Sequence, residues 1–212
     1  LRYPAVYGPR NPHPWEWTVV RRVLDGRPWM ILSDDGCGVF SRASARNAAH
    51  ALLLAIDRPE VSGGRAYNVA DDDLLSIRQW AELVSEAAGR VLPIRSLPAE
   101  LASPGWAVIA FGYQATPNCV LDTTRLREDL GYRDVQTVRD GIRETVEWML
   151  ENRERIAADP NVLDPFDYAA EDRLVAAYDR MLAELGPLAE PFATGLRPMT
   201  TPQTAKGSGA AS

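Results

Sequence analysis

The order of segments along the chain predicts an α/β fold containing part of a parallel sheet. Three observations carry this. Short strand-like runs alternate with runs of helical period, as in parallel-sheet proteins. Gly, Pro and Asp turns punctuate the boundaries. One helical run is rich in alanine, which lets a helix pack close to a sheet. No internal repeat is present.

Residues 1–7, an apolar and aromatic stretch, predict a strand that enters the Pro-rich loop at 8–14. Trp17, Val20, Val23 and Leu24 recur at helical spacing and predict a helix over 15–25, closed by Gly26 and Pro28. Short strands follow at 29–32 and 38–41 around the turn Asp34, Asp35, Gly36. Ala45, Ala48, Ala49, Leu52, Leu53 and Ile56 predict the buried face of the next helix, with Asn47 and His50 outside it. A strand at 66–70 precedes the acidic loop Asp71, Asp72, Asp73. Ser76 and Gln79 form a capping box that opens a helix to about Ala88. After a strand at 92–97 comes an aromatic, Pro-interrupted stretch from 98 to 117, long enough to read as a candidate lid. A short strand at 118–121, helices at 122–130 and 137–152, and an amphipathic helix at 167–185 stopping at Gly186 and Pro187 complete the ordered chain. Residues 188–212 have the composition of a disordered tail.

Composition narrows the function. The chain has 212 residues, 46% hydrophobic and 25% charged, with a formal charge of -6. This profile belongs to soluble globular proteins. No basic run is present to neutralise phosphates, which argues against nucleic-acid binding. No apolar stretch approaches the roughly 20 residues of a membrane span, and the expected setting is cytoplasmic. Cys37 and Cys119 with two histidines do not make a zinc site, and both cysteines read as small buried hydrophobes. Of the 23 basic residues only Lys206 is a lysine, and it lies in the tail.

The opening Leu1-Arg2-Tyr3-Pro4-Ala5-Val6-Tyr7-Gly8-Pro9-Arg10 resembles the segment after the catalytic region of extended short-chain dehydrogenases/reductases, the NAD-dependent epimerase/dehydratase family. Gly38-Val39-Phe40-Ser41 with the helix around Asn47 and His50, then Tyr67-Asn68-Val69, a Ser-capped helix with Trp80, Asp122-Thr123-Thr124-Arg125-Leu126, Leu130-Gly131-Tyr132 and a helix with Trp148 continue it in the family's order. The resemblance implies the C-terminal part of a Rossmann-like NAD(P)-binding fold with the substrate-binding subdomain. Residues 1–152 would hold the substrate-binding half and last Rossmann elements, 153–187 a helical extension and 188–212 the tail.

The family's Gly-rich pyrophosphate turn does not occur in this sequence. Its Tyr-x-x-x-Lys pair does not occur either, since Pro202 stands four residues before Lys206. With an opening that matches mid-family sequence and no initiating Met, the resemblance implies a C-terminal piece of a longer enzyme that uses NAD or NADP. This piece is expected to be inactive by itself and to be completed by an N-terminal cofactor half, with no catalytic residue or metal ligand of its own. A full-length homodimer remains open. The expected partner is a small molecule, a sugar or another hydroxyl/carbonyl compound, handled by an epimerase, dehydratase or reductase. A non-catalytic ligand-binding or regulatory module on the same fold is the alternative.

By the same resemblance Pro4 and Val6 lie beside the nicotinamide ring, and Ala5 takes the place of an Asn that contacts a substrate diphosphate in nucleotide-sugar enzymes. Arg42 follows the 38–41 strand near the family's phosphate-binding arginine, whose usual position falls closer to Phe40; its planar fork suits phosphate or carboxylate. The plainer reading of Arg42 is a surface residue. Trp106, Phe111 and Tyr113 are candidates to line the substrate pocket, or else form a satellite hydrophobic cluster. His50 reads as a solvated helix residue, and the three aspartates as acids that favour a helix start rather than a metal.

Overall fold

A computed structural model describes residues 1–102 and 118–189. It forms two compact units, Leu1–Leu174 and a second from Val175 onward. The candidate pocket residues Trp106, Phe111 and Tyr113 lie outside the described residues, as does the tail beyond Ala189.

The first unit is built on paired short strands. β1 (Ala5–Tyr7) runs parallel to β4 (Arg42–Ser44), with Ala5 opposite Arg42, Val6 opposite Ala43 and Tyr7 opposite Ser44. β2 (Met30–Ser33) runs parallel to β6 (Ile94–Leu97), and β3 (Val39–Phe40) pairs antiparallel with β5 (Leu75–Ser76). The expected strand at 66–70 is reduced to one parallel bridge between Arg2 and Asn68, and that at 118–121 to one between Phe40 and Cys119. Arg42, expected after a strand, instead opens β4.

Helices α1 (Trp17–Leu24), α4 (Ile77–Ala87) and α6 (Val138–Glu151) enclose one core containing Tyr7, Trp17, Val20, Trp80, Val84 and Ile142. Ser76 and Gln79 close the expected capping box of α4. Helices α2 (Ala45–Asp57), α3 (Pro59–Ser62) and α5 (Thr124–Leu130) surround a second core, with Ala43, Ala48, Ala51, Leu126 and Leu130 buried. Side chains alternate across a strand, so Tyr7 enters the first core while Val6 and Ala43 enter the second. The β1–β4 pair divides the two.

The turn from β2 to β3 places Asp34, Asp35 and Gly36 all at positive φ. A Cβ at Gly36 would come within 2.8 Å of the Arg78 backbone nitrogen, so only glycine fits there. Arg78 holds the turn through Nε to the Asp35 carbonyl at 3.1 Å and an ion pair to its carboxylate.

Three expectations are corrected here. In α2 it is Asn47, Ala48 and Ala51 that are buried, whereas Leu53 is 57% and Ile56 61% exposed. Both cysteines are exposed, because one follows the β2–β3 turn and the other lies on the segment bridged to Phe40. The last helix does not stop at Gly186 and Pro187.

After α7 (Arg153–Ala157), α8 runs from Tyr168 to Ala189 and includes Pro187. Its first turns belong to the first unit. There Arg22, fully buried on α1, is ion-paired with Asp164 and Glu171, and Thr18 also donates to Asp164. Arg27 adds an ion pair to Asp172 at 2.6 Å and stacks on Trp29 and Tyr168. In the second unit Met181 and Leu185 are exposed. Among the described residues no helix is long and apolar enough to cross a membrane.

Candidate functional site

The parallel register sets Ala5 beside Arg42 on one face of the β1–β4 pair, because paired residues of neighbouring strands project to the same side. Tyr7 and Ser44 share that face. Two of the residues singled out for substrate contact are thereby brought together. The small Ala5 side chain leaves room at the position where the resemblance expects an Asn, and the polar group there comes from the adjacent strand.

Arg42 is 7% exposed, so the surface-residue reading fails. Its guanidinium lies over the Trp80 ring at 4.3 Å from the centroid, and Trp80 in turn meets Tyr7 edge-on at 4.7 Å. Its Nη1 is buried without a hydrogen-bond partner. Burial pulls its pKa down to about 10, partly offset by the charge of Glu16. Glu16 immediately precedes α1, is 4% exposed and keeps Oε2 unpartnered. Burial pushes its carboxyl above the usual range, against the opposing pull of Arg42 and of the Trp80 indole N–H.

A second polar group is built on Asp71. Asp71 accepts from the Tyr7 hydroxyl at 2.8 Å, from Asn47 Nδ2 at 2.8 Å and from the Ser44 backbone N–H at 3.0 Å. The Asn47 Nδ2 also donates to the Gln136 carbonyl, and its Oδ1 accepts from the backbone of Val135 and Gln136. Ser44 caps α2 by accepting from the Asn47 backbone. The network anchors the end of β1, the start of α2 and the loop before α6. Burial raises the pKa of Asp71 despite these three donors, which favour its charged form. Asp71 therefore serves the start of α2 and the end of β1, not the start of the helix that follows the acidic loop.

The remaining candidates are placed less closely. Pro4 is half-buried and belongs to neither core. Val6 packs into the second core, and its carbonyl accepts from Asn11 Nδ2 at 2.9 Å. His50 is half-buried against Tyr132 at 5.8 Å between ring centroids. Sequence reasoning missed Glu16 and Trp80 as site residues and put Asn47 on the outer face. The available signal was the acid between Trp15 and Trp17, since a charge flanked by two large aromatics at a helix start is placed to be desolvated.

No family model matches the chain. A curated relative, UDP-N-acetyl-alpha-D-glucosaminuronate decarboxylase of Bacillus cytotoxicus, is 25% identical over 155 residues, 71% of this chain and 46% of the relative. Among solved structures, UDP-glucuronic acid 4-epimerase from Bacillus cereus in complex with NAD superposes with a TM-score of 0.54 at 15% identity, covering 69% of this chain and 42% of that one. DesIV, a dTDP-glucose 4,6-dehydratase from Streptomyces venezuelae, gives 0.53 at 23%, over 72% and 43%. RMD from Pseudomonas aeruginosa complexed with NADPH gives 0.51 at 16%, over 69% and 46%. The chain spans less than half the length of each. Its fold is similar to the C-terminal part of the Rossmann-like fold of these epimerase and dehydratase structures.

Proposed function

We propose that this chain is the substrate-binding part of an NAD(P)-dependent epimerase, dehydratase, decarboxylase or reductase acting on a sugar or another hydroxyl/carbonyl compound, and that the cofactor cradle and the Tyr/Lys pair come from a separate N-terminal half. The observation that carries this reading is the Ala5–Arg42 pairing. It sets a buried guanidinium, stacked on Trp80 and with its Nη1 unpartnered, next to the strand that the resemblance places against the nicotinamide ring.

The fit to a dinucleotide is partial. Half-buried Pro4 offers an apolar surface that would hold the nicotinamide end, whereas the Val6 side chain is committed to the second core. The sequence supplies no Gly-rich turn for the pyrophosphate. When bound, the nicotinamide ring supplies a hydride acceptor and donor for the substrate. The chain's own residues orient the substrate: Arg42 donates to it, Trp80 covers one face of the guanidinium, and the Tyr7–Asp71–Asn47 network fixes the strand from below. The full-length protein would act as a soluble cytoplasmic enzyme, and a homodimer is compatible with this.

The test is to extend the coding sequence upstream and measure NAD(H) and NADP(H) binding by titration calorimetry. The extended protein is expected to bind one of them at micromolar concentration, while this chain alone is not. An extended protein with no affinity for either would overturn the reading and favour a ligand-binding module.

A further inference from the structure

In the second unit, residues 179–189 of α8 are all exposed, with Met181, Leu182, Leu185 and Leu188 among them. A helix of this length is marginal in water when nothing packs on it, and Gly186 and Pro187 are the two poorest helix formers. Helical stability in proteins comes mainly from packing an amphipathic face. That face is present here. Tyr178, Met181, Leu185 and Leu188 recur at intervals of three, four and three, the spacing of a heptad seam, and Leu182 widens the same stripe. At 3.6 residues per turn Asp179, Arg180 and Glu184 fall to the other side, so the stripe holds no charge.

We propose that this stripe is a self-association surface, covered by the same stripe of a second copy of the chain. Identical surfaces related by a two-fold axis are complementary by construction, and the heptad spacing lets the side chains of one helix seat between those of the other. Charge agrees with this occupant. One arginine against two acids leaves the helix end nearly neutral, and all three lie off the seam, so two copies meet without like charges facing each other across it. A membrane surface is the poorer match, because an interfacial helix carries a polar face rich in lysine and arginine and this one offers Arg180 beside Asp179 and Glu184. A missing enzyme half is also a poorer match, since the family resemblance ends at the helix with Trp148, before α8 begins. Two stripes of this length bury on the order of 1,000 Å², the lower bound for a specific interface, so the pair is expected to dissociate at micromolar rather than nanomolar concentration. The inference does not rest on the substrate reading of Arg42.

The experiment is sedimentation velocity on the 212-residue chain over a concentration series from about 1 to 300 μM. A reversible monomer–dimer equilibrium is expected within that range. Leu185→Lys and, separately, Met181→Lys should each raise the dissociation constant at least about tenfold, because each sets two cations against one another in the seam. Arg180→Ala, on the opposite face, should change it by less than about threefold. A chain that stays monomeric throughout overturns the proposal. So does a dimer that both lysine variants leave intact, which would move the interface to another apolar surface such as Leu53 and Ile56 of α2. Pelleting of the wild-type monomer with anionic phospholipid vesicles, lost in Leu185→Lys, would assign the stripe to a membrane and overturn it as well. The urea transition of each variant reports whether the first unit stays folded; should one lysine variant lose it, the other decides. Cofactor binding by the extended protein tests the proposed function separately, and neither result bears on the other.

Discussion

The Tyr7 hydroxyl donates to the Asp71 carboxylate at 2.8 Å, joining the end of β1 to a loop 64 residues further along the chain. Three donors converge on that carboxylate, and burial still outweighs them in setting its pKa above the ordinary value.

The sign of the resulting pH dependence follows. A carboxyl whose folded pKa is raised holds its proton more tightly in the native state, so native stability falls as pH rises from the unfolded value through the folded one. Asp71→Asn is expected to remove this contribution while keeping one acceptor oxygen for Tyr7 and Ser44, at the loss of the bond from Asn47 Nδ2. Urea midpoints measured from pH 4 upward should fall less steeply with pH in the variant than in wild type; identical slopes would refute the assignment.

Asn47 joins Asp71, Val135 and Gln136 through four hydrogen bonds. Asn47→Ala should cost about 2–4 kcal/mol by leaving buried groups unmet. Asn47→Asp would set two carboxylates together and should also destabilise at neutral pH, with the loss shrinking as acid protonates one of them. Thermal melts at two pH values separate the two effects.

Gly141 lies on α6 where a Cβ would stand 2.9 Å from the Tyr7 ring and hydroxyl. Gly141→Ala should therefore destabilise by about 1–3 kcal/mol despite the better helix propensity of alanine. Chemical denaturation reads this directly, and a neutral or stabilised variant would contradict the packing described.

Arg22 has no exposed surface and meets Asp164 and Glu171. Arg22→Ala leaves two buried carboxylates without their cation and is expected to cost about 3–5 kcal/mol. Denaturant unfolding of the variant is the check, with a loss under about 1 kcal/mol counting against burial of the network.

What could be read in advance was local. Ser76 and Gln79 announce α4 because a capping box needs only four consecutive residues. The face of α2 could not be chosen the same way, since Ala45 to Ile56 is apolar nearly all round and periodicity has little to discriminate. Asn47 is buried because its partners Asp71, Val135 and Gln136 arrive from 24 to 89 residues away. Strands of two or three residues show no period of two, so β4 went unread, and Arg42, though singled out, was set after a strand instead of within one. The order of elements, which depends on turns and helical repeats, was legible; the Ala5–Arg42 register, which depends on strand pairing across the chain, was not.

Arg22 and Asp164 are separated by 142 positions. A contact that closes so long a loop is entropically slow to form. As the chain leaves the ribosome, the cation on α1 must stay hydrated until residues 164–171 have been made, so α1 cannot settle into its final burial early. Glu16, at the start of the same helix, waits with it. A nascent chain halted before Asp164 would therefore present Arg22, and the face of α1 that carries it, to water.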